Sequence, residues 1–282
     1  MAEVHAMKQT SGLTTLNKSD GDKKFRESSV SRYTIGDNIA EQLHNLNMSH
    51  PAHPHHQASE DSMMSVIQTD DDIEICLIQD DDIEDVLVFL RKFFFKDEPL
   101  NVEQNLLETE DARCLELEEI CTETMKEHLS FKATSKGQIL GVTINGVSRP
   151  GKAVDSSEEC KNPKFKKILK LLYTIDKQSD VFGQFPDVSS TIDVKIISVD
   201  NACRGRGIAK ALIDRTREFG AENGHAMIRV DCTSHFSAKA VARLGFECVY
   251  ILKYSEYLGP DGKPVFTPEP PHNEVKVFVQ RI

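Results

Sequence analysis

In "ISVDNACRGRGIAKALIDRTREFGAENG", residues 197–224, a strand, a glycine turn and a long helix succeed one another. A strand ends at Val199, a turn carries Arg204-Gly205-Arg206-Gly207, and Ile208, Ala211, Leu212 and Arg215 then follow helical spacing. Glycines at a strand-to-helix turn let the backbone approach an anion, while the helix start offers unpaired N–H groups at the positive end of its dipole. A diphosphate fits that description, although a turn that only reverses the chain would use the same residues. The run lacks G-x-x-x-x-G-K-[ST], and Lys210 stands where a dinucleotide fingerprint needs its third glycine, which argues against both nucleotide motifs.

Around this run the order is strand (192–199), glycine turn (204–207), helix (about 208–222), strand (227–232), helix (237–245), strand (247–254) and a last alternating run, "NEVKVFVQRI". Upstream, "SFKATSKGQILGVTING" reads as a hairpin around Ser135-Lys136-Gly137. One helix carries Phe165, Ile168, Leu169, Leu172 and Ile175 on a single face, and a shorter one carries Leu117, Ile120, Cys121 and Thr124. Lys164, Lys166, Lys167 and Lys170 lie off the apolar face, as phosphate contacts or as a solvated surface. Ile73, Ile75 and Leu77 alternate as a strand, Asp80–Asp82 suit a helix start, and Ile83, Val86, Leu87, Leu90, Phe93 and Phe94 continue as a helix. A hairpin followed by alternating strands and helices predicts an α/β (α+β) domain over residues 71–282, a mixed sheet flanked by helices.

Residues 1–70 are polar, with only Ile39, Leu43 and Leu46 at helical spacing, and read as a largely disordered extension. Its His50, His53, His55 and His56 are interrupted by prolines and completed by no carboxylate or thiol pattern, so no metal is expected. Between Glu60 and Leu90 there are eleven acids and no Lys or Arg, and the whole chain of 282 residues has a net charge of -11. That balance argues against a nucleic-acid surface and suits cationic ligands or simple solubility. Seven scattered cysteines without a C-x-x-C pair suggest reduced thiols. No leader, lipidation signal or apolar run approaching 18 residues is read, so a soluble cytoplasmic protein, a monomer without membrane contact, is expected.

"RKFFFKDEPL", residues 91–100, sets three phenylalanines against Lys96, Asp97, Glu98 and a proline. Pro99 pushes Glu98 out of the helical region, placing it in a turn at a helix end. There it is either a solvated carboxylate or one held beside an apolar wall, where its proton affinity would rise enough to accept a proton from an amine.

Arg204-Gly205-Arg206-Gly207-Ile208-Ala209 matches [RQ]-x-x-G-x-[GA], the acetyl-CoA pyrophosphate loop of the GNAT N-acetyltransferases, and "ARLGFE" follows as in that superfamily's usual ending. Four runs in order, "FFFKDEPLN", "NPKFKKIL", "ISVDNACRGRGIA" and "CTSHFSAKAVARLGF", make residues 72–282 resemble the insect arylalkylamine N-acetyltransferases of the dopamine N-acetyltransferase type. The resemblance implies acetyl-CoA as co-substrate, arylalkylamines such as dopamine, tyramine, octopamine, serotonin and tryptamine as acceptors, and links to amine inactivation, sclerotisation and the melatonin route. It places the catalytic glutamate on Glu98, hydroxyl residues on Thr233, Ser234 and Ser237, and cofactor contacts on Ile197, Ser198, Val199 and Arg204 through Ala209. Thr233 stands where the family has Ser, and Phe236 where it has Tyr. Ser237 would protonate the departing thiolate or bind the cofactor, and Phe94 and Phe95 would line the ring pocket or pack the core. Polyamine or protein-amine acetylation, a binding protein without turnover, and a covalent route through Cys232 or Cys203 with His235 nearby are the alternatives.

Overall fold

The computed structural model describes residues 31–33, 73–109, 111–151 and 154–282. Apart from Ser31–Tyr33, the expected polar extension, with its histidines and its Ile39-Leu43-Leu46 pattern, lies outside the described residues. The strands are β1 (Ser31–Tyr33), β2 (Ile73–Leu77), β3 (Phe131–Ser135), β4 (Gln138–Ser148), β5 (Thr191–Val199), β6 (Met227–Cys232), β7 (Glu247–Lys253) and β8 (Glu274–Arg281). They form one mixed sheet in the order β1-β2-β3-β4-β5-β6-β8-β7, antiparallel everywhere except at the β5–β6 pair. The helices are α1 (Ile83–Phe93), α2 (Pro99–Glu103), α3 (Leu115–Met125), α4 (Pro163–Ser179), α5 (Val181–Gln184), α6 (Ile208–Glu222) and α7 (His235–Arg243).

Period-two alternation sends the strands' apolar residues to both faces of the sheet, into one cluster under α1, α3 and α4 and two on the α6 side. Along β6, Ile228, Val230 and Cys232 pack with Ile213 of α6 and Val241 of α7. Arg229 and Asp231 point the other way, into the layer built by α1, α3 and α4, where Val142 and Ile144 of β4 meet Leu90, Cys121 and Leu171. The β3–β4 hairpin closes through Lys136 (φ 51°) and Gly137 (φ 78°), two consecutive left-handed residues whose twist suits adjoining antiparallel strands.

Two irregularities at the centre of the sheet position the site. The β5–β6 register runs from Thr191↔Met227 only to Val194↔Val230, so β5 continues to Val199 past its last paired residue on that side. On its other side, β4–β5 pairing shifts between Ile144↔Ile196 and Asn145↔Val194, leaving Lys195 as the extra residue of a bulge. Fully buried Asn145 holds this bulge: its Nδ2 donates to the Leu129 carbonyl at 2.8 Å and to Thr216 Oγ1 of α6 at 3.1 Å, and its Oδ1 accepts from Thr143 Oγ1 at 2.8 Å.

A buried carboxylate joins the two helices that wall the site. Glu118 of α3 accepts from Arg91 Nε and Nη2 of α1 at 3.0 and 2.8 Å and also pairs with Arg113. Burial alone would raise its pKa, but the two guanidinium groups outweigh that and hold it at about 2. Because this lies below the ordinary carboxylate value of 4.5, the pair stabilises the fold fully above about pH 4.5 and stops doing so as pH falls toward 2. Glu118→Ala should therefore lower the unfolding free energy by roughly 3 kcal/mol at pH 7, since it leaves Arg91 without its buried partner. Urea unfolding at pH 7 and pH 3 should show the deficit shrinking in acid, and an equal deficit at both would refute the ionic account.

The lysines of α4 take protein partners. Lys164 pairs with Glu108, Lys166 with Glu158 and Lys170 with Asp155, while Lys167 donates to Gln104 Oε1 at 3.1 Å. These pairs fasten the segments around 104–108 and 155–158 to the helix. All seven cysteines are free thiols. No helix among the described residues is long and apolar enough to cross a membrane.

Candidate active site

Glu98 is the N-cap of α2, in extended backbone (φ -68°, ψ 125°) with Pro99 as the first helical residue. The proline explains both facts, since it disfavours helical backbone at the preceding residue and its fixed φ suits a first helical position. Both carboxylate oxygens have donors: Oε2 accepts from the Asn101 backbone N–H at 2.8 Å, and Oε1 from Thr233 Oγ1 at 2.8 Å. The residue keeps partial solvent access, but its carboxyl group is enclosed by protein, and that desolvation raises its pKa above the ordinary value despite the opposing hydrogen bonds from Asn101, Thr233 and Leu100. Glu98 is thus in a turn as expected, half-buried, with its carboxyl group hydrogen-bonded to protein.

Glu98 and Thr233 open into a cavity of about 480 Å³ on the α1/α3/α4 side of the sheet. Its middle is apolar, walled by Phe94, Leu117, Ile120, Phe165, Ile168 and Leu172. Further along β6 the wall turns polar at Asp231 and Arg229, with Asp193 and Lys195 of β5 and Asp176 of α4. Arg229 is nearly fully buried and pairs with both Asp176 and Asp231. Asp193 accepts from Ser148 Oγ at 2.5 Å and Thr191 Oγ1 at 2.6 Å, and burial raises its pKa, with Lys195 and Arg229 opposing.

The "CTSHFS" run divides its hydroxyls among three tasks. Thr233 bonds Glu98, Ser234 caps α7 by accepting from the Phe236 and Ser237 N–H groups, and Ser237 Oγ donates back to the Ser234 carbonyl at 2.9 Å. Ser237 therefore sits one turn into α7, beside the Cys232 thiol and not along the cavity wall that holds Thr233. The helix starts at His235, two residues before the expected 237, because Ser234 is its cap. Cys232 is buried, with its pKa pushed up to about 12 mainly by desolvation, the opposite of an activated nucleophile.

The turn after β5 has the expected form. Gly205 (φ 81°) and Gly207 (φ 78°) are left-handed, and a Cβ placed on either would meet nothing within 4 Å, so the loop's outer face is open backbone. Gly207 caps α6 without any side-chain hydrogen bond, leaving the first N–H groups of that helix directed at this face. Arg204 is exposed, Arg206 half-buried and Ala209 half-buried, whereas the Ile208 side chain is in the core and only its backbone is available. At the strand end, Ile197 and Val199 pack toward the α6 side, and buried Ser198 donates to the Phe93 carbonyl at 3.3 Å, which joins the end of β5 to the segment carrying Glu98. An open glycine loop at a helix N-terminus, continuous with a strand whose edge is released, fits a diphosphate-bearing acyl carrier such as acetyl-CoA.

Phe94 lines the cavity, but Phe95 does not: it is 2 % exposed in the core, and its carbonyl accepts from Asn101 Nδ2 at 3.1 Å. Sequence reading missed Asn101 and the polar wall at Asp193, Arg229 and Asp231. An acid before Pro99 with Asn101 at the third helical position is a capping arrangement, and that signal was available in the sequence.

The fold and this paired site define an N-acetyltransferase of the GNAT type. No protein-family model matches the chain. Among solved structures, it is similar to arylalkylamine N-acetyltransferase 2 from Aedes aegypti, with 34 % identity over 74 % of this chain and 99 % of that one and a TM-score of 0.70. It is also similar to Drosophila melanogaster polyamine N-acetyltransferase, an enzyme that catalyses the formation of N-acetylagmatine, at 27 % identity over 75 % of this chain and 100 % of that one, TM-score 0.68. The mosquito arylalkylamine N-acetyltransferase-like 5b, at 24 % identity over 74 % of this chain and 100 % of that one, shares the fold with a TM-score of 0.67. The chain belongs to the insect arylalkylamine N-acetyltransferases.

Proposed function

We propose that this protein N-acetylates arylalkylamines by direct transfer, with Glu98 as general base. The observation that carries the proposal is a desolvated carboxylate, hydrogen-bonded at both oxygens, at one end of a cavity with an apolar middle. Amines of this kind have pKa values of about 10 and are cations at neutral pH, without a lone pair for attack. A carboxylate with raised proton affinity takes the ammonium proton more readily than a solvated one, directly or through a water. Thr233 and the Asn101 N–H hold its orientation. Acetyl-CoA supplies the acetyl group as an activated thioester. Towards it, the Arg204–Ala209 loop would bind the diphosphate, and backbone N–H groups near Val199, past the end of β5–β6 pairing, would face the reacting carbonyl. Ser237, beside Cys232, would contact the carrier arm. The aryl group would lie between Phe94 and the α3 and α4 faces.

A second reading, a polyamine acceptor, is favoured by the polar end of the same cavity. There three carboxylates (Asp176, Asp193, Asp231) face two cations (Arg229, Lys195), an acidic excess that a distal ammonium would offset. Release of CoA thiol from acetyl-CoA, measured with dopamine, tyramine, tryptamine, spermidine and a lysine-bearing peptide, separates the readings. Aromatic amines are expected to give the highest kcat/KM. Turnover confined to spermidine would move the substrate class, and silence across the panel would leave a binding protein. The acid limb of kcat/KM should have its midpoint above the ordinary carboxylate value of 4.5, because the base works only when ionised and its burial raises its pKa.

A further inference from the structure

Tyr254 is a buried phenol that the mechanism above leaves unused. It follows β7 directly, is 2 % exposed, and packs its ring near Phe266, which in turn stacks with Tyr257. Its backbone N–H donates to the Asn273 carbonyl at 3.0 Å, which ties it to the residue before β8. Its hydroxyl donates to the Thr233 backbone carbonyl at 2.8 Å. Thr233 lies between the end of β6 at Cys232 and the cap of α7 at Ser234, so neither the strand nor the helix includes it. The same Thr233 donates its Oγ1 to Glu98 at 2.8 Å.

We infer that Tyr254 is a positioning residue for the catalytic carboxylate: by holding the Thr233 peptide, its hydroxyl keeps Thr233 Oγ1 on Glu98 and so sets the proton affinity of Glu98. The donors on Glu98 differ in how firmly they are placed. The Leu100 and Asn101 N–H groups are fixed by the first turn of α2, immediately after Glu98 itself. The Thr233 hydroxyl comes from 135 positions away, on a rotor whose direction follows the orientation of the peptide between β6 and α7. One hydroxyl-to-carbonyl bond from Tyr254 anchors that peptide. The phenol stays protonated while Glu98 titrates, because burial, then the nearby Glu98 and Cys232, raise its pKa above the ordinary value of 10. The link therefore stays intact on both sides of the titration.

Functional meaning here rests on Glu98 being the base, but the three-residue chain stands on geometry alone. The ionisable groups around it belong to several elements: Cys232 and, along the cavity, Asp231 and Arg229 on β6, Asp193 and Lys195 on β5, Asp176 and Tyr173 on α4, and Cys121 on α3. Tyr254→Phe alters none of them and keeps the ring, so a shift in Glu98 titration reports the lost hydroxyl. Tyr254→Met, which also fills the site without a donor, is the second variant should Phe not fold, and near-ultraviolet circular dichroism checks both.

The test titrates the Glu98 carboxyl by carbon-13 NMR, assigned by its absence in Glu98→Gln, alongside pH profiles of kcat/KM with tyramine. Removing the hydrogen bond outright in Thr233→Val should raise the midpoint by about one pH unit, since a hydrogen bond to a charged carboxylate contributes ~1.5 kcal/mol or more. Tyr254→Phe should raise it by a large part of that, and Tyr254→Phe in the Thr233→Val background should add nothing. An unmoved midpoint in Tyr254→Phe, or additive shifts in the double variant, overturns the inference. If NMR midpoints move as expected while the kinetic limb does not follow them, the positioning chain holds and the general-base reading fails.

Discussion

Glu98→Gln is expected to lower kcat by roughly 10²- to 10⁴-fold, the range that a positioned general base contributes, while the acetyl-CoA dissociation constant stays within about twofold. Glutamine keeps the volume and lets one oxygen accept from the Asn101 N–H, with Thr233 rotating to accept from the new amide; what disappears is the capacity to take a proton. The separation follows from the architecture, because Glu98 lines the cavity on the α1/α3/α4 face of the sheet, whereas the glycine loop opens at the N-terminus of α6, which packs on the opposite face. Stability should move in the opposite direction. A carboxylate whose folded pKa is raised favours folding in its neutral form, so its contribution is full below about pH 4.5, the unfolded value, and is lost as pH rises through the folded value. At pH 7 the wild-type protein holds an ionised group in a desolvated place, and the neutral amide should melt at a higher temperature. Stopped-flow or thiol-release kinetics, paired with a thermal melt, test both halves. Unchanged turnover would return Glu98 to a helix-capping role, and a lowered melting temperature would mean that the carboxylate stabilises the fold.

Much of this was legible because the second half of the chain repeats unambiguous periods. From Thr191 to Arg281, strand-forming runs and helices with a single apolar stripe succeed one another, and the expected boundaries agree with the observed ones to within about two residues. The glycine turn was legible for a different reason, since Gly205 and Gly207 occupy backbone conformations that other residues rarely take. Pro99 announced the turn at Glu98 through its own geometry. Helix α2 was not legible, because its five residues span barely more than one turn and show no period. Spacing alone left Phe95 between pocket and core because helical spacing ends with α1; the chain leaves the helix through a Phe95 N–H to Leu90 carbonyl bond and folds that ring into the core. Contacts between distant segments, such as Thr233 with Glu98 or Tyr254 with Thr233, leave no local pattern in a single sequence, and neither do the partners of Lys164 or Lys170. The residues of the site could be nominated from motifs, but the hydrogen bonds that set their chemistry required the fold.

Gly207→Val should produce the converse kinetic signature. At φ 78° glycine is nearly free of strain, whereas a β-branched side chain there is held in a sparsely populated region. The free variant escapes by letting the loop relax to negative φ, so the protein folds and its unliganded stability falls only modestly. Binding the diphosphate requires the loop to return to the arrangement in which the α6 N–H groups face outward, and that return costs ~1–3 kcal/mol, roughly 5- to 150-fold in affinity. Nothing in the protein lies within 4 Å of a Cβ at this position, so the loss cannot come from a clash with the protein itself. KM for acetyl-CoA is therefore expected to rise by that factor, while kcat at saturating acetyl-CoA falls less than threefold and KM for the amine is nearly unchanged, because the cavity wall is untouched. Isothermal titration with CoA, compared with saturation kinetics, reads each quantity separately. Should Gly207→Val bind CoA as tightly as the wild type, the glycine would serve only to reverse the chain, and the cofactor's diphosphate would have to be held by other residues. Should kcat collapse while KM stays put, the loop would be aligning the reacting carbonyl and not merely holding the diphosphate, which would place part of the catalytic geometry at the N-terminus of α6.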